Sequence, residues 1–248
     1  MDNSNLVAII TGGSRGIGKA ISKKLAQEGY TVIINYVTNQ AAAEETVAEI
    51  TEQNGKAQAI QGSVSSAIDV QFIVDSVLKQ YGRIDVLINN AGIKRDRMLF
   101  MMKVDEWNEV IATNLIGPLL FTRAVLKPMI KQKFGKIINI SSISGLIGTS
   151  GQTNYATTKA ALIGFTRSLA KEVAQYNITV NAIAAGYVST DMLNSINQTK
   201  VQQFIDSVPL KRFARADEIS GAVLYLLSES ASYITGQTIN IDGGITVT

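Results

Sequence analysis

The chain reads as an α/β protein: one doubly wound parallel sheet of about seven strands, with helices on both faces. Three observations predict this. Runs such as 6–10 (LVAII), 84–88 (IDVLI) and 136–140 (KIINI) are apolar on successive residues, as in strands covered on both faces. Stretches with helical periodicity alternate with them, which implies right-handed crossovers between parallel strands. A glycine-rich turn, Thr11-Gly12-Gly13-Ser14-Arg15-Gly16-Ile17-Gly18, joins the first strand to the first helix.

Taken in order, strand 6–10 enters that turn, and a helix follows through Ile21, Leu25 and Ala26 to Gly29, a C-cap glycine. The glycines permit a tight turn and close backbone approach to a pyrophosphate, which the helix N-terminus attracts. A second strand, 31–36, ends at Asn35-Tyr36-Val37-Thr38. An acidic residue there would accept the ribose hydroxyls of NAD, and none is present. Arg15, inside the glycine loop, is a guanidinium suited to a 2′-phosphate, so the residues point to NADP(H). A Glu-rich helix, 40–54, precedes strand 56–61. An amphipathic helix, 66–81, is closed by Gly82, and strand 84–88 runs into Asn89-Asn90-Ala91-Gly92. Segment 94–102 reads as a loop with solvated Lys94, Arg95 and Arg97. A helix then begins near Asp105 and is strongly apolar from Glu109 to Met129 apart from Asn114, which is either structural glue or a water-holder. Lys127, Lys131, Lys133 and Lys136 form a basic patch. A helix from about 154 to 176, a strand at 178–183, a polar lid-like segment at 189–208, a helix at 217–227 and a strand at 237–241 complete one domain spanning 1–248.

Composition narrows the chemistry. The 248 residues include no His and no Cys, so imidazole bases, thiolates, disulfides and most zinc sites are excluded. A net charge of +3 is too mild to argue for nucleic acid. No apolar run approaches the roughly 18 residues that span a membrane, and the N-terminal run is too short for a signal peptide. A cytoplasmic setting is the expectation.

Acid–base work is left to Asp, Glu, Lys or Tyr. Tyr155 and Lys159, four apart in GQTNYATTKAA, share a helix face, and Ser142 ends the apolar run thirteen positions earlier. Alone, a Tyr–Lys pair at this spacing is usually a solvated helix face.

Taken together, TGGSRGIG at 11–18, NNAG at 89–92, Asn114, Ser142, Tyr155 and Lys159 resemble the short-chain dehydrogenase/reductase family over essentially the whole chain. Within it, NNAGIKRDRML, GQTNYATTKAAL and YITGQTINIDGG are most similar to reductases of 3-oxoacyl thioesters on acyl-carrier protein. The resemblance implies a Rossmann-type fold, NADP(H), fatty-acid synthesis and a homotetramer. It also implies that Tyr155 is the general acid, with Lys159 lowering its pKa, Ser142 fixing the substrate oxygen and Asn114 holding a water. Gly12, Ser14, Arg15, Gly16, Ile17 and Gly18 would hold the phosphates. Thr38, Ser63 and Val64 would lie at the adenosine end, Asn90, Ala91 and Gly92 along the riboses, and Gly186, Val188 and Thr190 at the carboxamide. Tyr155 and Lys159 would also touch the cofactor. The chain departs from relatives in Ser63, where they commonly carry Asp, in Ala185 in place of Pro, and in Tyr176 near a common basic position. Acetoacetyl-CoA reductases and other ketone or sugar dehydrogenases share several of these segments.

Overall fold

The computed structural model describes residues 6–189 and 198–247. Its elements run β1 (Val7–Thr11), α1 (Gly16–Gln27), β2 (Thr31–Tyr36), α2 (Gln40–Glu52), β3 (Lys56–Gln61), α3 (Ala67–Tyr81) and β4 (Val86–Asn89). There follow α4 (Val104–Ile111), α5 (Gly117–Gln132), β5 (Gly135–Ser142), a short α6 (Ser144–Ile147), α7 (Thr153–Val173) and β6 (Ile178–Ala185). The chain closes with β7 (Val188–Ser189), α8 (Gln198–Ser207), β8 (Ala214–Arg215), α9 (Ala216–Leu227) and β9 (Thr238–Ile241). Seven strands form one parallel sheet in the order β3-β2-β1-β4-β5-β6-β9, while β7 and β8 pair separately.

The expected fold class holds, and its topology places the site. β1 neighbours both β2 and β4, so the winding reverses there and a crevice opens beyond the carboxyl ends of these strands. Alternate residues of β1 serve different cores. Ala8 and Ile10 pack with residues of α1, α2 and α9 on one face. Val7 and Ile9 pack with Phe121, Val125 and Met129 of α5 and with parts of α3 and α7 on the other. Polar side chains bridge the sheet interior. Asn89 donates to Asn139 at 2.8 Å, and Asn139 donates to Thr166 at 2.9 Å.

Several expectations need correction. Strands β5 and β6 run two residues past their expected ends, which puts Ser142 on the last position of β5. The apolar stretch around Asn114 is not regular α-helix: residues Ala112–Ile116 form a π turn between α4 and α5. The continuous helical stretch Val104–Gln132 has the length and apolar character to cross a membrane, which no uninterrupted apolar run suggested. Here it is a core helix, with Val110, Phe121, Val125 and Met129 fully buried. The segment 189–208, whose part as a lid remains an expectation, includes helix α8, whose Phe204 ring lies tilted 4.8 Å from the Tyr187 ring. The rest of it, 190–197 with Thr190, lies outside the described residues.

Candidate active site

The glycine loop is shaped to admit a backbone-bound anion. Gly12 sits at φ +62°, where a side chain would be strained, and a Cβ on it would come within 3.1 Å of the Ala91 Cα. A Cβ on Gly18 would lie 2.2 Å from the Gly12 carbonyl oxygen. The loop leads into the N-terminus of α1 at Gly16, where unpaired N–H groups and the helix dipole favour negative charge. Ser14 is buried and its carbonyl accepts from Thr46 at 3.2 Å. Ile17 is half-buried beside the core. Arg15 is exposed, and its side chain has no hydrogen bond or ion pair among the described residues. This cradle fits a dinucleotide pyrophosphate.

Asn90 shapes the loop. Its amide donates to the carbonyls of Thr11 (2.9 Å) and Gly12 (3.1 Å), while the Thr11 hydroxyl accepts from the N–H groups of Asn90 and Ala91. Thr38, expected at the adenosine, is exposed just past β2, and Ser63 with Val37, Ile68 and Phe72 lines a shallow cleft. The Ser63 N–H donates to Asp69 at 2.8 Å, while Val64 is buried. Asn35, near the end of β2, turns into the sheet and donates to the Gly62 carbonyl. Gly186 leaves β6 so tightly that a Cβ would meet the Asp242 Cα at 2.7 Å, and Val188 follows on β7.

Across the crevice, β5 and α7 bring three expected residues together. The Lys159 ammonium donates to the Ile140 carbonyl at 2.7 Å and lies 5.6 Å from the Tyr155 ring centre. Burial, and then the charge of Lys94, pulls Lys159 down to about 8. Tyr155 keeps part of its surface in solvent, and burial of the rest pushes the phenol up to about 12, against a hydrogen bond with Ser142 that favours ionisation. Ser142 Oγ also accepts from the Ser144 N–H at 3.2 Å, which fixes the hydroxyl at the strand end.

Asn114 is fully buried and clamps the loop after β4. It accepts from Ile93 N–H at 2.8 Å and donates to the Ile93 carbonyl at 2.9 Å and to Thr158 at 3.3 Å. Gly92 packs beneath it, since a Cβ there would sit 3.4 Å from Asn114 Oδ1 and 3.6 Å from Lys159 Nζ. The π turn presents this amide inward, at a place where such turns often mark function.

The loop residues Lys94, Arg95 and Arg97 are exposed, as expected, but they are not free of partners. The Lys94 ammonium lies 4.8 Å from the Tyr155 ring centre. Arg95 and Arg97 are held in bidentate pairs by Glu109 and Glu106. Lys136 leaves the basic patch, being buried with its ammonium on the Ser228 carbonyl at 3.0 Å. The remaining patch lysines precede the start of β5, roughly 23 Å along the strand from Ser142 at 3.3 Å per residue. Sequence reasoning also passed over Gln152 and Asn154, which tie the Lys94 loop to α7 through Asp96 and the Arg95 carbonyl. Their position next to Tyr155 was the available signal. No cluster of metal-binding side chains occurs among the described residues.

A phosphate cradle facing a Ser–Tyr–Lys set at the carboxyl edge of a doubly wound sheet defines a nicotinamide-dependent oxidoreductase, and the chain belongs to the short-chain dehydrogenase/reductase family. The family model described as enoyl-(acyl carrier protein) reductase matches residues 12–246. The chain is 47% identical over 240 residues to a 3-oxoacyl-(acyl-carrier-protein) reductase of Synechocystis sp., covering 96% of each chain. Over 241 residues it is 44% identical to one from Staphylococcus epidermidis, covering 97% of this chain and 99% of that one. The relative from Aquifex aeolicus is 43% identical over 240 residues, 96% of each chain.

Proposed function

We propose that the protein reduces 3-oxoacyl thioesters to 3-hydroxyacyl thioesters with NADPH, in fatty-acid synthesis, on substrates carried by an acyl-carrier protein. The observation that carries this reading is the meeting of Ser142, Tyr155 and Lys159 beside the glycine cradle, in a chain whose full-length relatives bear that reductase name. When bound, the nicotinamide supplies hydride to the ketone carbon. Gly12, Ser14, Gly16, Ile17 and Gly18 would hold its phosphates, and Arg15 would meet the 2′-phosphate. Ser142 would position the ketone oxygen, and Tyr155 would give it a proton. Lys159, charged below about pH 8, would stabilise the resulting phenolate. With the Asn114 amide engaged by Ile93 and Thr158, its part is to hold the loop that shapes this pocket.

The test is NADPH consumption with acetoacetyl-CoA, run in parallel with NADH and with a Tyr155→Phe variant. NADPH turnover in the native protein, with a loss of about 100-fold or more in the variant, is expected. Retained turnover in Tyr155→Phe removes the phenol from its role, and a preference for NADH removes the Arg15 assignment. A homotetramer in the cytoplasm belongs to the same reading. Its support is an exposed apolar cluster of Leu99, Phe100, Met101 and Val104, with Phe100 84% exposed. A solution mass near 26.7 kDa would contradict the tetramer.

A further inference from the structure

We propose that Lys94 is a second cation of the catalytic centre, acting through Tyr155 and Lys159 to set the pH range over which the site passes a proton. The inference rests on the assignment of Tyr155 as proton donor. Its basis is geometric. Lys94 lies two residues beyond Gly92, and its ammonium is 4.8 Å from the Tyr155 ring centre, nearer than that of Lys159 at 5.6 Å. Its ammonium forms no hydrogen bond or ion pair among the described residues, whereas Arg95 and Arg97 on the same loop are neutralised by glutamates.

The loop is not free to carry Lys94 elsewhere. Asn154 donates to the Arg95 carbonyl at 3.1 Å, the Arg97 N–H donates to the Gly151 carbonyl at 2.8 Å, and Gln152 donates to Asp96 at 2.8 Å. These bonds fasten the segment to the start of α7, the helix that bears Tyr155. A cation over a ring face is attracted by the ring and favours an ionised oxygen on it.

The charged groups facing this point are few. α7 contributes Tyr155 and Lys159, and the loop contributes Lys94 and Asp96. The arginines between β4 and α4 are paired with Glu106 and Glu109 of α4, β5 offers the uncharged Ser142, and the π turn offers Asn114. Asp96 opposes Lys94, since its negative charge raises the pKa of both Lys94 and Tyr155, and Gln152 donates to one of its carboxylate oxygens at 2.8 Å. Two like charges near one phenol depress each other, and the fall of Lys159 to about 8 has the Lys94 charge as its second cause. Reduction needs Lys159 protonated, so Lys94 brings forward the alkaline decline in activity.

The experiment separates charge from shape. The alkaline limb of kcat/KM for acetoacetyl-CoA reduction by NADPH is measured in the native protein, in Lys94→Met and in Lys94→Arg. Methionine keeps the stem and removes the charge, so the limb should move up by about one pH unit, the size expected for a neighbouring charge at an effective dielectric near 20. Arginine keeps the charge, so the limb should stay. An unmoved limb in Lys94→Met overturns the proposal. Equal movement in both variants also overturns it, because the side chain would then matter for its shape. Failure of the underlying reading looks different: Tyr155→Phe would remain active whatever Lys94 does.

Discussion

Lys159 is 4% exposed and has no acidic partner among the described residues, so the fold holds a charge where water would hold it better. An unfolded lysine keeps its proton to about 10.5, and the folded one loses it near 8. Between those values the unfolded chain binds more protons, so this residue makes stability rise with pH across that window. Lys159→Met should abolish turnover yet unfold at a higher urea concentration at pH 7, by roughly 1–3 kcal/mol, with the gap narrowing towards pH 10. A variant less stable at pH 7 would show that the hydrogen bond to Ile140 outweighs the desolvation. Of the proposed catalytic residues, Tyr155 and Lys159 were legible because their spacing lies within one helix. The approach of Lys94 to Tyr155 was not, since the course of its loop depends on bonds to residues more than fifty positions away.

The short α6 fixes where Ser142 meets α7, and Gly145 is what lets it approach. A Cβ at that position would stand 2.6 Å from the backbone of Lys159 and Ala160. Gly145→Ala should therefore push α6 away from α7, lowering thermal stability by about 1–3 kcal/mol and reducing kcat more than cofactor affinity. Unchanged kcat would mean that α6 moves without disturbing Ser142. Strands and helices were legible from their apolar periods and glycine caps. The π turn was not, because its cause is tertiary: the Asn114 amide finds partners in Ile93 and Thr158, far along the chain. The strand ends extended beyond their apolar runs for a similar reason. Ser141 and Ser142 are paired in the β5–β6 ladder although their side chains are polar.

Parallel strands give the molecule two unlike ends. Ser142 and the glycine loop lie at the carboxyl end, and Lys131 and Lys133 at the opposite end. We expect a carrier that delivers its acyl chain to Ser142 to dock nearer the first end than the basic patch. Charge reversal at both lysines should leave KM for a carrier-protein thioester within about twofold at moderate salt, where surface charges are screened beyond roughly 10 Å. A large rise would place docking at that patch, as the sequence first suggested. Sequence alone grouped these lysines with Lys136 because proximity along the chain conceals which end of a strand a residue occupies. The division of β1 between two cores has a related meaning for heredity. Positions 9 and 10 are neighbours on the chain but answer to different surroundings, one to α3, α5 and α7, the other to α1, α2 and α9. An inherited change at position 9 is therefore met by one set of helices and one at position 10 by the other, and the two sets share only the sheet between them.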